Sequence, residues 1–241
     1  MYNIFKRGFD NSHIIESNRR AIGYIDVAIP DPTPNNPTQI KRGIRGTGFF
    51  INKDGLFATN AHVYKQVPDA EKKHLAINYY SRTDEKGIEH YVRKDLQLVK
   101  LDEEKDIAVF KIDEKSPGVV ALGDTQAVQE GEEVLILGHP LATELMIMGL
   151  GVTRTADQCI VSAIKKRALD GTPEVFFVDT HINAGASGSP VFSKKTGKVI
   201  GIASGRIDNN TQIPNGPLIK VPANMGICRP VNYLANLIKA L

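Results

Sequence analysis

Three residues of this sequence could together form a proton-transfer unit around an oxygen nucleophile. Ser187 lies in Asn183-Ala184-Gly185-Ala186-Ser187-Gly188-Ser189-Pro190, a small-residue run leading from one β-type segment into another. Flanking Gly and Ala let the chain bend tightly and leave the hydroxyl exposed. His62 stands at the far end of Leu56-Phe57-Ala58-Thr59-Asn60-Ala61-His62-Val63, which reads as a strand entered through the hairpin turn Asn52-Lys53-Asp54-Gly55. Asp106 opens the β-type run Ile107 to Ile112. A serine attacks a carbonyl only as its proton leaves, so a neighbouring histidine would act as general base and an aspartate would orient the imidazole. Taken singly, each segment also has an ordinary reading: a Gly/Ser surface turn, a structural histidine, an acidic turn residue.

The elements that would carry these residues are short β-type runs: Ile22 to Ile29, Gly48 to Ile51, Leu75 to Tyr80, Ile107 to Ile112, Val134 to Leu137, Val175 to Val178 and Val199 to Ala203. Gly, Pro, Asn and Asp separate them, the pattern of an all-β sandwich or barrel. One helix is expected after Pro230, where Val231, Leu234, Leu237, Ile238 and Leu241 make an apolar stripe. Between Asp113 and Gly131 the strand pattern lapses, which places a boundary between two lobes near Thr125. Pro30 to Pro37, with four prolines in eight residues, reads as a surface loop.

Composition sets outer limits. The chain has 241 residues, 41% hydrophobic and 24% charged, which excludes a disordered or fibrous protein. A net charge of +3 from 30 basic and 27 acidic side chains gives no argument for a nucleic-acid or membrane partner. Lys165-Lys166-Arg167 and Lys194-Lys195 read as solvated loops. Cys159 and Cys228 are too few for a disulfide framework and leave one bridge open. The leading residues Met1 to Arg7 lack the apolar run of a signal peptide and no segment reaches membrane-helix length, so a cytoplasmic location is expected.

Together the segments resemble the chymotrypsin-like serine peptidases, especially the bacterial branch of the HtrA proteases and the glutamyl endopeptidases related to staphylococcal V8 protease. The resemblance rests on Gly46-Thr47-Gly48-Phe49, Thr59-Asn60-Ala61-His62-Val63, Asp106-Ile107-Ala108-Val109, Gly185-Ala186-Ser187-Gly188-Ser189-Pro190-Val191-Phe192 and Val199-Ile200-Gly201-Ile202, and covers roughly residues 20 to 241. Chain order agrees, because chymotrypsin-type enzymes run His, Asp, Ser. An α/β-hydrolase runs Ser, acid, His, wants Gly where Ser189 stands, and needs alternating helices.

The resemblance implies an all-β fold of two six-stranded antiparallel β-barrels with a C-terminal helix. Residues 1–20 would be an N-terminal extension, 21–125 a barrel carrying His62 and Asp106, and 126–241 a barrel carrying Ser187, with the helix at 230–241. It implies a serine endopeptidase acting on polypeptides, with the Gly185 and Ser187 N–H groups as oxyanion hole and no metal or organic cofactor. His181 would form the base of the specificity pocket, its walls coming from Ser204, Gly205 and Arg206 and the strand beginning at Gly226. The backbone of Ser204 to Arg206 would pair with substrate as an added strand.

The sequence departs from the family at three places. Ala186 replaces the acid that trypsin-type zymogens use to capture a new N-terminus, so that mode of activation is not expected. No PDZ segment follows the helix ending at Leu241, which leaves control to loops or an activating partner protein. Ala203 replaces the histidine of the glutamyl endopeptidases, so an apolar pocket is favoured over one charged by His181 or Arg206, and Lys and Arg should be poor choices. Asp95 and Asp102 are rival acids, while His13, His74, His90 and His139 lack the sequence surrounding His62. The alternative function is a latent protease-like binding or chaperone module.

Overall fold

The structure, a computed structural model, describes residues 9–33, 36, 38–167, 171, 173–213, 216–239 and 241. The leading segment Met1 to Arg7, and Pro34 and Pro37 of the expected loop, lie outside the described residues. A short helix, α1 (Asn11–Asn18), precedes strands β1 (Ile22–Pro30), β2 (Ile40–Phe50) and β3 (Leu56–Thr59). A helical turn, α2 (Ala61–Lys65), then leads to β4 (Leu75–Thr83), β5 (Glu89–Asp95), β6 (Gln97–Asp102) and β7 (Ile107–Lys111).

These seven strands form one sheet in the order β5-β4-β1-β2-β3-β7-β6. The expected closed six-stranded barrel is thus replaced here by an open seven-stranded ladder. Its outer strands, β5 and β6, are consecutive in the chain and separated only by Leu96, whose N–H donates to the Leu75 carbonyl at 3.0 Å. The segment bends there, so that its first half pairs with β4 and its second half with β7.

The second half of the chain does close. Strands β8 (Glu133–Gly138), β9 (Thr155–Lys166), β10 (Pro173–Val178), β11 (Pro190–Ser193), β12 (Val199–Gln212) and β13 (Leu218–Pro230) form a barrel in the order β10-β13-β12-β11-β8-β9. A short helix, α3 (Ala142–Ile147), lies between β8 and β9. The helix α4 (Val231–Lys239) begins directly after Pro230, as its apolar stripe predicts, and buries Val231 and Leu234.

Strand periodicity explains how the halves are joined. Successive side chains of a strand face opposite ways. On β2, Phe50 points into the core of the first sheet with Ile25, Phe57 and Phe110. Phe49 instead joins Ile22, Ile107, Leu137, Ile202 and Leu234, a cluster where both halves and α4 meet. On β7 the division repeats: Ala108 and Phe110 face one core, Ile107 and Val109 the other. Each of the Phe, Ile, Leu and Val side chains contributes about 2 kcal/mol by leaving water. A third core, with Val161, Phe176 and Val191, fills the barrel. Cys159 and Cys228 are buried within it as free thiols, so the bridge left open by the sequence is not formed. Among the described residues no helix is long and apolar enough to cross a membrane.

Candidate active site

The strand expected to run to Val63 ends at Thr59, and His62 sits on the helical turn α2. Ala61 and Val63 are buried from that turn, and such short apolar runs do not separate helix from strand. Asp106 immediately precedes β7 with φ 56°, a left-handed conformation that Asp tolerates better than most residues. Its carbonyl accepts from Asn60 Nδ2 at 3.0 Å, which ties this bend to the end of β3.

The carboxylate of Asp106 faces His62. His62 Nδ1 lies 3.0 Å from Oδ1 and 2.9 Å from Oδ2, and the His62 backbone N–H donates to Oδ1 at 3.0 Å. Ser204 Oγ donates to Oδ2 at 2.5 Å. Burial pushes the carboxyl upward, but the hydrogen bonds from His62 and Ser204 outweigh it and hold the group below the usual carboxylate range. With Nδ1 donating to the carboxylate, Nε2 is left as the basic nitrogen.

Ser187 comes from the turn between β10 and β11. The Ala184 carbonyl accepts from the Leu141 N–H at 2.7 Å, Ala186 N–H donates to the Asn183 carbonyl at 3.0 Å, and Gly188 N–H donates to the Ala203 carbonyl at 2.7 Å. Ser189 N–H bonds the Ala186 carbonyl at 3.0 Å. The Gly185 and Ser187 N–H groups have no protein acceptor among the described residues. Gly185 has φ +88°, and a Cβ there would stand 2.5 Å from the His139 carbonyl oxygen, so only glycine fits. Ser187 Oγ donates to the Ser204 carbonyl at 3.1 Å. Ser204 therefore joins the two halves of the site: its hydroxyl engages Asp106 and its carbonyl engages Ser187. No hydrogen bond runs directly from Ser187 to His62 among the described residues.

The expected pocket residues lie as follows. His181 is exposed, and its Nε2 accepts from the Asn224 N–H at 3.0 Å. Gly226 is faced by the buried Ile182 and Val178, whose Cδ1 and Cγ2 would each lie 2.8 Å from a Cβ on that glycine. Arg206 donates from Nε to Asp208 at 2.8 Å and from Nη1 to Asn183 Oδ1 at 3.2 Å. Space beside Gly205 is open. On the β11 side of β12, strand pairing ends at Ile202, which leaves Ser204 to Arg206 as a sheet edge. The rival acids face elsewhere: Asp102 accepts from the Lys105 N–H and Asp95 pairs with Arg93. Among the described residues no group of three or more His, Cys, Asp or Glu could hold a metal ion.

Sequence reasoning missed the side-chain part of Ser204, the Leu141 amide and Thr47, whose N–H donates to the Ser187 carbonyl at 2.8 Å. Thr47 lies inside the Gly46-to-Phe49 motif, so its position was legible although its contacts with the Ser187 turn were not. Leu141 acts through its backbone and carries none.

The chain is similar to known proteins over most of its length. A relative from Pseudomonas putida, a "Probable periplasmic serine endoprotease DegP-like", is 33% identical over 174 residues, which is 71% of this chain and 31% of the relative. A "Serine protease HtrA-like" of Staphylococcus aureus is 28% identical over 131 residues, 51% of this chain and 15% of the relative. The matched stretch thus spans less than a third of the P. putida relative. The solved "HtrA-type protease AlgW with decapeptide" shares the fold, with a TM-score of 0.65 at 20% identity, covering 96% of this chain and 67% of that one. The cytoplasmic location expected from the sequence does not stand, because the P. putida relatives are named periplasmic. The trypsin-like peptidase domain matches residues 46–202, a stretch that contains His62, Asp106 and Ser187, and the chain belongs to that family.

Proposed function

We propose that this chain is a serine endopeptidase that hydrolyses polypeptides through a covalent acyl-enzyme, in a cleft between lobes of residues 21–125 and 126–241. His62 Nε2 takes the proton of Ser187 as its oxygen attacks the scissile carbonyl, and later delivers it to the departing amine. Asp106 holds the imidazole in the required tautomer. The Gly185 and Ser187 N–H groups receive the charge that develops on the carbonyl oxygen. What carries this reading is the set of amides from Gly185 to Ser189: the two without a protein acceptor are that of Ser187 itself and that of Gly185 two residues before it, so an anion receptor stands beside a serine hydroxyl.

An extended substrate would add a strand along Ser204 to Arg206 and donate its N–H to the Ser204 carbonyl. That bond would displace the Ser187 hydroxyl toward His62. Arg206 is paired with Asp208, and His181 already accepts from Asn224, so neither offers a spare positive charge to an acidic side chain. With Ile182 beside Gly226, the pocket favours small or medium apolar residues. Cleavage of an unbiased peptide library should occur mainly after Val, Ala, Leu or Ile, and dominant cutting after Glu, Asp, Lys or Arg would refute the pocket assignment. The names of the relatives point to a periplasmic setting for this activity.

One observation favours a second reading, a latent module awaiting a partner protein: Ser187 Oγ engages Ser204 and not His62. A fluorophosphonate probe separates the two. Labelling of Ser187 in the isolated chain supports the competent enzyme, and labelling only after a partner is added supports the latent one.

A further inference from the structure

Thr47 belongs to β2 of the first sheet and is fully buried, yet its polar atoms reach the loop that carries Ser187. Its N–H donates to the Ser187 carbonyl at 2.8 Å, and its hydroxyl donates to the Gly185 carbonyl at 2.8 Å. The same hydroxyl accepts the His139 N–H at 3.0 Å. Its own carbonyl accepts from Thr59 Oγ1 at 2.7 Å, which anchors it to β3.

Gly185 has φ +88° and no Cβ, so its side chain does nothing to limit its rotation. The peptide planes on either side limit it instead. A trans peptide points its C=O and N–H in opposite directions, so the bond from the Leu141 N–H to the Ala184 carbonyl aims the Gly185 N–H the other way. The Thr47 hydroxyl holds the following plane by its carbonyl. Without that hydroxyl, a part-buried C=O and a buried N–H both lose a partner and the glycine gains freedom.

We propose that Thr47 is a positioning residue for the oxyanion-binding amides, a role that rests on the peptidase reading above. It touches no substrate and acts by holding the Gly185 and Ser187 carbonyls from the opposite half of the molecule.

The experiment compares Thr47→Val, Thr47→Ala and Thr47→Ser in the full chain. It reads kcat and KM on one peptide, affinity for a peptide boronic acid that forms a tetrahedral adduct with serine, and the amide resonance of Gly185. Thr47→Val should lower kcat about 10-fold or more, leave KM within about twofold and weaken the boronic acid in parallel. Thr47→Ser should restore all three to within about threefold. A valine variant with unchanged kcat, a loss confined to KM, or a loss that serine does not rescue overturns the proposal. If Thr47→Val does not fold, Thr47→Ala carries the same expectation. Failure of both to fold beside a native serine variant would assign the hydroxyl to general stability and also overturn it. The Gly185 resonance should shift or broaden in the hydroxyl-free variants and return with serine. An unchanged resonance refutes the role of Thr47 even in a chain that cuts nothing, whereas an unmutated chain that cuts no peptide counts against the peptidase reading alone.

Discussion

On the side of the site built by the first sheet, one carboxylate gathers the contacts: Asp106 accepts from the His62 ring, the His62 backbone and Ser204. On the barrel side, the Ser187 turn is held almost wholly by main-chain groups, several of which are gripped from outside the turn by Leu141, Ala203 and Thr47. The first arrangement depends on side-chain identity and is exposed to single substitutions. The second depends on backbone direction, which most substitutions leave alone. The barrel reaches into both arrangements, through the Ser204 hydroxyl on Asp106 and through main-chain groups on the Ser187 turn.

The sharpest way to break this contrast is Ser187→Ala or His62→Ala. Either should reduce kcat by about 10⁵-fold or more with circular dichroism unchanged, because the two act as one unit. Activity retained by either variant would dismantle the triad. Asp106→Asn should cost about 10⁴-fold in kcat, since the amide presents an N–H where Nδ1 needs an acceptor. A loss of only a few-fold would mean that the backbone alone holds His62. Ser204→Ala probes the link between the sides and should lower kcat/KM about 10-fold. Asp106 would also lose one of the bonds that hold its carboxyl low, so its protonation should begin at higher pH than in the unmutated chain.

The smallest effect on turnover is expected at His139, which is buried against Tyr24 and Tyr91. Burial, helped by the positive charge of Arg154, pushes its pKa down to about 3. An unfolded histidine titrates near ~6.5. Between those values the unfolded chain binds a proton that the folded chain refuses, so this stabilising contribution is complete above pH ~6.5 and is lost progressively toward about pH 3. The slope is about 1.4 kcal/mol per pH unit. Denaturant midpoints of His139→Asn should show a flatter dependence across that window, and an unchanged slope would show that His139 is protonated in the folded state.

The strands legible in the sequence were those with continuous apolar runs, because β2 and β7 bury both faces in two different cores. The strands β5 and β6 were not legible: they are mostly half-exposed, and their polar residues from Glu89 to Asp102 mask the period. The helix α3 lies in Leu141 to Leu150, where Ile147, Met148 and Leu150 are exposed, so the apolar residues there mark no buried face. For the site, residue types alone left Ser187, His62 and Asp106 with ordinary readings, and the resemblance of the ordered motifs, with chain order, singled them out. The contacts of Leu141 and Thr47 on the turn are tertiary and depend on how β2 meets the loop after β8, which no local pattern encodes.

The two free thiols have a practical consequence for labelling. Burial pushes the Cys159 thiol up to about 12 and raises Cys228 well above its ordinary value, so neither supplies thiolate at neutral pH. A Ser187→Cys chain would therefore carry a single reactive sulfur, and a maleimide dye or spin label could be coupled at the cleft without first removing the native cysteines.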